Sequence, residues 1–152
     1  MDTNHASLLI ILVSLFFSLK SNTTFFFDLS QGTFLVGTGS TPPTLQGTAT
    51  ALSGDNSTIV VGGKLDANNL GAAWFFIRNA TSADGWSQVG NKIVPNDTVG
   101  YAQFGSAVAI NYNATITIIS GYEDNTGIGA FWVYAKNSTT ENEWDSMLVL
   151  IY

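Results

Sequence analysis

The chain has 152 residues, enough for one domain with a hydrophobic core. Its five basic residues against eleven acidic ones give a formal charge of −6, which argues against nucleic acid as a partner, because that ligand needs a basic surface. There is no cysteine, and the single histidine is His5, so residues 6–152 hold no disulfide, thiol nucleophile, Ser-His-Asp triad or histidine-bound zinc.

Residues 8–19 (LLIILVSLFFSL) form an apolar run, and Lys20 and a polar stretch follow it. A helix needs about 20 residues to cross a bilayer, whereas this run has the length of a signal-peptide core. Residues 1–24 are therefore read as a signal peptide, although residues 1–7 lack Lys and Arg and no A-x-A site follows. An uncleaved N-terminal membrane anchor and a mis-started reading frame are the alternatives. Asn22, Asn56, Asn79, Asn96, Asn113 and Asn137 each begin an N-x-[ST] triplet. Five of them, from Asn56 onward, lie in segments read as turns, where a glycan fits. They support a secreted or cell-surface glycoprotein; the alternative is chance in a chain rich in Asn and Thr.

From residue 31 the sequence repeats itself. Residues 31–88 slide onto 89–146 without a gap, and thirteen positions are identical. They include Gly47/Gly105, Ala49/Ala107, Ala51/Ala109, Asp66/Asp124, Gly71/Gly129, Trp74/Trp132, Asn79/Asn137, Thr81/Thr139 and Trp86/Trp144. A unit repeated in this way buries its apolar surface against its neighbour.

Within a unit the elements read as strands. Residues 33–36 (TFLV) open the first, matched by 91–94, and the Pro42-Pro43 loop is a connection because Pro disrupts central strands. In 47–52 (GTATAL) alternation puts Ala49 and Ala51 on one face, small enough for another strand to approach closely. A turn at 53–56, with Asp55 in a structural role, joins this strand to 58–61 (TIVV) as a hairpin. Residues 72–77 (AAWFFI) are apolar on both faces, so both should be covered. Trp86 then opens a strand that leads into the second unit. The second unit repeats these strands at 105–110, 116–119 and 130–135. No window has a helical period.

The expectation is an all-β fold of antiparallel four-stranded, blade-like repeats, with unit 1 at 31–88 and unit 2 at 89–146. Residues 147–152 (MLVLIY) fall where a third, truncated unit would begin. The chain is read as a fragment of a longer propeller, with a self-completing homo-oligomer and a two-unit sandwich as alternatives.

The stretch FGSAVAINYNATITIISG, followed by GIGAFWVY, resembles the FG-GAP repeat, the blade of integrin-α-type β-propellers. Phe104-Gly105 matches its FG element, with Gln46-Gly47 in the first unit; Gly71-Ala72 and Gly129-Ala130 match its GA element. Trp86-Ser-Gln-Val-Gly-Asn-Lys-Ile-Val94 is similar to the W-x-Q-x-G-x-x-L-V unit ending of one branch. The resemblance implies two consecutive blades of an incomplete propeller, and calcium loops at 64–71 and 122–129. Asp66, Asp124 and Glu123 are the candidate calcium ligands there, but calcium wants six to eight oxygens, and turn-capping by Asp66 and Asp124 is the competing reading.

The function expected is an extracellular module for protein or glycan binding or adhesion, without catalysis and with no firm cofactor. A degenerate repeat without its own ligand is the alternative, and a glycosidase built on Asp66 and Asp124, with Glu141 and Glu143 nearby, is a distant third. Trp74 and Trp132 are read as core. Trp86 and Trp144 open strands and either stack on a sugar or seal the gap between units.

Overall fold

The computed structural model describes residues 34–140 and 143–151. The leader at 1–24, with Asn22, lies outside the described residues, as does Glu141. Among the described residues no helix is long and apolar enough to cross a membrane.

The chain is all-β. Strands β1 (Gln46–Leu52), β2 (Thr58–Gly63), β3 (Ala72–Arg78) and β4 (Trp86–Ile93) form one four-stranded sheet in that order. Strands β5 (Ala107–Ile110), β6 (Ile116–Gly121), β7 (Ala130–Lys136) and β8 (Trp144–Ile151) form a second. Every pairing is antiparallel. Strong β-formers fill β2, β3, β6 and β7, and Gly, Asn and Asp supply the turns.

The structure moves the frame of the repeat. Residues 34–36 are not a strand, although their counterparts at 92–94 include the end of β4 at Ile93. Residues 147–151, expected to open a third unit, belong instead to β8 and pair with β7. The physical reason is that a hairpin partner lies beside them: β8 repeats β4, which pairs with β3 in the same manner. The sheets thus span 46–93 and 107–151, the first straddling the unit end at 88/89 and the second the unit end at 146/147.

The main core lies between the two sheets. Val60, Ala73, Phe75 and Val89 from sheet 1 meet Ile119, Ala130, Trp132 and Tyr134 from sheet 2, with Ala102 and Phe104 between. Trp132 is 1 % exposed and Phe75 also 1 %, so each contributes about 1.5–3 kcal/mol of transfer free energy. The phenol of Tyr134 ionises well above its ordinary range, because burial and then the nearby Asp97 carboxylate disfavour the anion. The small face of β1 behaves as its alternation suggested: Ala49 and Ala51 are half-buried, Thr48, Thr50 and Leu52 are exposed, and β5 packs against β1.

A second cluster, Ile59, Val61, Ala72, Trp74 and Phe76, occupies the other face of sheet 1, with Leu35 and Trp86 against it. Strand β3 is therefore covered on both faces, as its sequence required. Trp74 donates from Nε1 to the Thr38 carbonyl at 2.8 Å, so the loop before β1 closes over this ring. Trp132 donates from its own Nε1 to Asp97 Oδ1 at 2.8 Å.

Candidate functional site

Each sheet carries one unusual loop between its second and third strands. The residues Asp66–Asn69 and Asp124–Gly127 form single turns whose inner residues are left-handed, with φ/ψ of 50°/53° at Ala67 and 59°/50° at Asn68. Asn125 and Thr126 take the same conformation, at φ 50° and 59°. Left-handed residues other than glycine cost roughly 1–2 kcal/mol each, and a β-branched Thr is an outlier there. Something else in the fold holds these turns.

The holding group is the repeated aspartate. Asp66 is fully buried and Asp124 is 1 % exposed. Oδ1 of Asp66 accepts the Thr41 N–H at 2.6 Å, and Oδ1 of Asp124 accepts the Val99 N–H at 2.8 Å. Thr41 and Val99 are themselves repeat partners. The bond is reciprocated: Ala67 N–H reaches the Thr41 carbonyl at 3.3 Å, and Asn125 N–H reaches the Val99 carbonyl at 2.9 Å. Each aspartate thus clamps its turn to the loop leading into the sheet. The second oxygen of Asp66 is ion-paired with Lys92 of β4.

These contacts bear on the expected calcium loops. Both Asp66 oxygens are committed to protein groups, and one Asp124 oxygen is. Glu123 is half-buried beside Asp124. Among the described residues no three His, Asp or Glu side chains stand together as a metal cage. The residues present do not fit calcium, which needs several carboxylates and six to eight oxygens.

The first loop receives the second unit. Gln103 N–H donates to the Asn69 carbonyl and Phe104 N–H to the Leu70 carbonyl, both at 2.9 Å, and Phe104 forms a parallel bridge with Gly71. The left-handed turn aims consecutive carbonyls at the arriving strand. The backbones touch: a Cβ at Gly62 would overlap the Gly105 carbonyl oxygen and stand 2.8 Å from its carbon. A Cβ at Gly105 would lie 2.5 Å from the Ala72 oxygen, and Gly105 has a φ of +88°. The glycine of the Phe-Gly pair is therefore needed twice, for its φ and for its missing side chain. The Phe104 ring packs edge-on against Trp132, with centroids 5.2 Å apart.

The remaining tryptophans separate. Trp144 stacks on Phe75 of the other sheet, centroids 4.3 Å apart and planes 15° apart, so it seals the gap between units. Its half-buried ring also lines a cleft of about 340 Å³ with Val89, Gly90, Asn91, Glu143 and Asp145. Trp86 packs at the edge of the second cluster, and the Arg78 guanidinium lies 5.2 Å from its centroid.

The sequons also separate. Asn79 Oδ1 accepts the N–H and hydroxyl of Thr81, at 3.0 and 2.6 Å, and its amide donates to Ser87 Oγ at 2.7 Å. Asn137 repeats this with Thr139 and Asp145. These N-x-T triplets recur because they tie the β3–β4 and β7–β8 hairpins. Asn113 Oδ1 is bonded to Asn111 and Thr115, while Asn56, Asn96 and Asn113 are all exposed. Sequence reasoning treated all five alike; the signal that divides them is that only Asn79 and Asn137 are repeat-identical. In the β1–β2 turn, Asp55 accepts from the Ser53 hydroxyl at 2.6 Å and the Ser57 N–H at 2.9 Å. Those bonds, the Ser53 hydroxyl first, lower its pKa, in keeping with the structural role expected of it.

No protein-family model matches the chain, and no curated protein matches it at a significant level.

Proposed function

We propose that this chain is an extracellular repeat module of the FG-GAP kind, its two sheets being consecutive β-propeller blades, and that it binds a protein or glycan instead of catalysing a reaction. The observation that carries this reading is the seating of Gln103-Phe104-Gly105 on the left-handed turn of the preceding sheet. It links one sheet face to the next through a motif at the place where the sequence resembles the FG element. Stacked four-stranded sheets of this length are what a propeller repeats.

Residue types support binding over chemistry. The described chain has no histidine or cysteine; its repeated aspartates are spent on clamping backbone. The cleft beside Trp144 offers a partner an aromatic edge, the Asn91 amide and the carboxylates of Glu143 and Asp145, the mix of apolar surface and polar groups that ligand clefts use. The exposed Asn56, Asn96 and Asn113 are the sequons with room for a glycan.

The test is expression of the full chain in a eukaryotic secretory host, with peptide mapping before and after enzymatic deglycosylation. Secreted protein carrying glycan at Asn56, Asn96 or Asn113 supports the extracellular reading; unglycosylated protein retained in the cytosol refutes it. Titration with a panel of oligosaccharides and extracellular-matrix proteins, followed by Trp fluorescence, tests the binding role. A saturable change that Trp144→Ala abolishes supports the cleft.

A further inference from the structure

The groups that hold the fold recur in both sheets: the clamps of Asp66 and Asp124, the ties of Asn79 and Asn137, the buried rings of Trp74 and Trp132. The cleft beside Trp144 is built from residues that break the repeat. In sheet 1, Val89 stands opposite Phe75 and Ile93 opposite Ala73, so Gly90, Asn91 and Lys92 bulge out against the single residue Trp74. Gly90 turns the chain there with a φ of +63°, which glycine takes at no steric cost. In sheet 2 the equivalent residues 148–150 run straight, opposite Val133, Trp132 and Phe131. Bulges re-aim side chains beside functional sites, and the cleft lies between this bulge and the start of β8.

The facing wall departs from the repeat as well. Glu143 and Asp145 flank Trp144, where unit 1 has Gly85 and Ser87 beside Trp86. Both acidic residues are exposed. Asn137 Nδ2 donates to Asp145 Oδ2 at 2.8 Å, which steadies that carboxylate and leaves Oδ1 for a ligand. Trp144 is itself fixed by its stacking on Phe75, so the cleft is organised before anything binds. Strands β4 and β8 are the edges of their sheets, so a further blade stacked on the face of sheet 2 would not take this place.

The lining selects among ligands. Lys92 also borders the cleft, but its ammonium is ion-paired with the buried Asp66, so the unmatched charges of the lining are the two carboxylates. They repel uronic acids, sialic acids and sulfated sugars. A simple cation would use those acceptors and leave the donors of the Asn91 amide unmatched. Sugar hydroxyls both donate and accept, so they use carboxylate and amide together, and the C–H face of a pyranose buries apolar surface against an indole. The volume of about 340 Å³ is at the small end of ligand pockets, suited to a single sugar ring.

We infer that this cleft binds one ring of a neutral saccharide. Glu143 and Asp145 accept from its hydroxyls, the Asn91 amide donates to one of its oxygens, and Trp144 lies against its apolar face. The assignment rests on the binding role proposed above and chooses between its two ligand classes.

NMR titration of the full chain, read at the Trp144 indole N–H, tests this. The probes are the methyl glycosides of glucose, galactose, mannose and N-acetylglucosamine, with glucuronic acid, N-acetylneuraminic acid and butylammonium as contrasts. The expected result is saturation by a neutral glycoside at about 1 mM, the range a ligand of this size reaches, with no change on raising salt to about 0.5 M. Both acids should bind at least about 10-fold more weakly, and Glu143→Ala and Asn91→Ala should each weaken the glycoside about 10-fold. Both side chains are exposed, so the two variants should melt with the parent. Glu143→Lys should admit glucuronic acid, a gain that a merely structural role would not give. Saturation by no neutral glycoside, acids bound as tightly as neutral sugars, butylammonium bound more tightly than every glycoside, or binding indifferent to both alanine variants overturns the inference. Secreted, glycosylated protein that binds a matrix protein and no glycoside overturns the saccharide and leaves the extracellular module standing; glycoside binding by protein that stays in the cytosol supports the cleft and removes the extracellular setting.

Discussion

Replacing Gly62 by alanine separates the two sheets without touching the core side chains. Gly62 has no positive φ, so an alanine there meets no backbone penalty. The new methyl would overlap the Gly105 carbonyl oxygen and lie 2.8 and 3.0 Å from the carbonyl carbon and Cα of that residue. Carbon atoms settle at about 3.5–4.0 Å, and a gap of 0.5–1 Å forfeits a quarter to a half of each contact. The sheets must therefore part by roughly 1 Å, loosening the layer that includes Val60, Phe75, Phe104 and Trp132. Overpacking of this kind costs about 1–3 kcal/mol, and removing a strand glycine returns about 0.5–1 kcal/mol. The net expectation is a destabilisation of about 1–2 kcal/mol, or a fall in melting temperature of about 4–8 °C for a domain of this size. Urea and thermal unfolding followed by Trp fluorescence measure it. Ser120→Gly is the control at the repeat-equivalent position; among the described residues no sheet arrives there, so the strand-glycine cost of about 0.5–1 kcal/mol applies together with the loss of the Ser106–Ser120 hydroxyl contact. If Gly62→Ala lies within about 0.5 kcal/mol of the parent, the backbone approach between the sheets is wrong.

Removing Asp66 strands the ammonium of Lys92, so Asp66→Ala should cost about 3–5 kcal/mol; Asp124→Asn keeps an acceptor for the Val99 N–H and should cost about 1 kcal/mol. Equal losses in chemical denaturation would contradict the two roles. Asn79→Ala removes the tie across the β3–β4 hairpin and should cost about 1–2 kcal/mol, with Asn79→Asp milder because it still accepts from Thr81. Carboxyl titration by NMR should place the Asp84 midpoint below 3.8, because the Ser82 hydroxyl and then the Trp86 N–H favour its anion. That contribution to stability is present above the unfolded pKa and is lost as pH falls through the lower folded value; an Asp84 midpoint at or above 3.8 refutes the turn geometry. Tyr134 titrates in the opposite sense: its folded pKa is raised, so its phenol should stay neutral above the ordinary range of that group. The stability tied to its neutral form is full below the unfolded pKa and lost as pH rises through the folded one. A Tyr134 phenol that ionises within its ordinary range would remove it from the core.

Much of this fold is written in local pattern. The alternation in 47–52, the two-sided apolarity of 72–77 and the Gly/Asn/Asp turns each name a strand or its end, because strand burial has a period of two. The frame of the repeat is not written there. An offset of 58 residues says that two segments are alike and not which residues open a sheet, so 147–151 read as a beginning although hydrogen bonding makes them an end. The candidate site is less legible still. Asp66 and Asp124 were visible as repeated carboxylates, but their partners Thr41 and Val99 are linked to them only by backbone N–H groups, which no side-chain identity reports. Lys92 lies on a strand two removed from Asp66 in the chain, and no spacing rule joins them. Trp86 and Trp144 look equivalent in sequence, yet Trp144 meets Phe75 of the preceding sheet while Trp86 packs within its own.

The claim on which the rest depends is that Phe104-Gly105 seats on the turn of the first sheet. Amide hydrogen exchange with nuclear Overhauser spectroscopy reads it directly. The account predicts slow exchange at Gln103 and Phe104, whose N–H groups are bonded to Asn69 and Leu70, and a close contact between the Phe104 amide and the Gly71 α-protons across their bridge. Fast exchange at both amides and no such contact would mean that the sheets fold side by side without stacking, and the binding module built on that stack would fall with it.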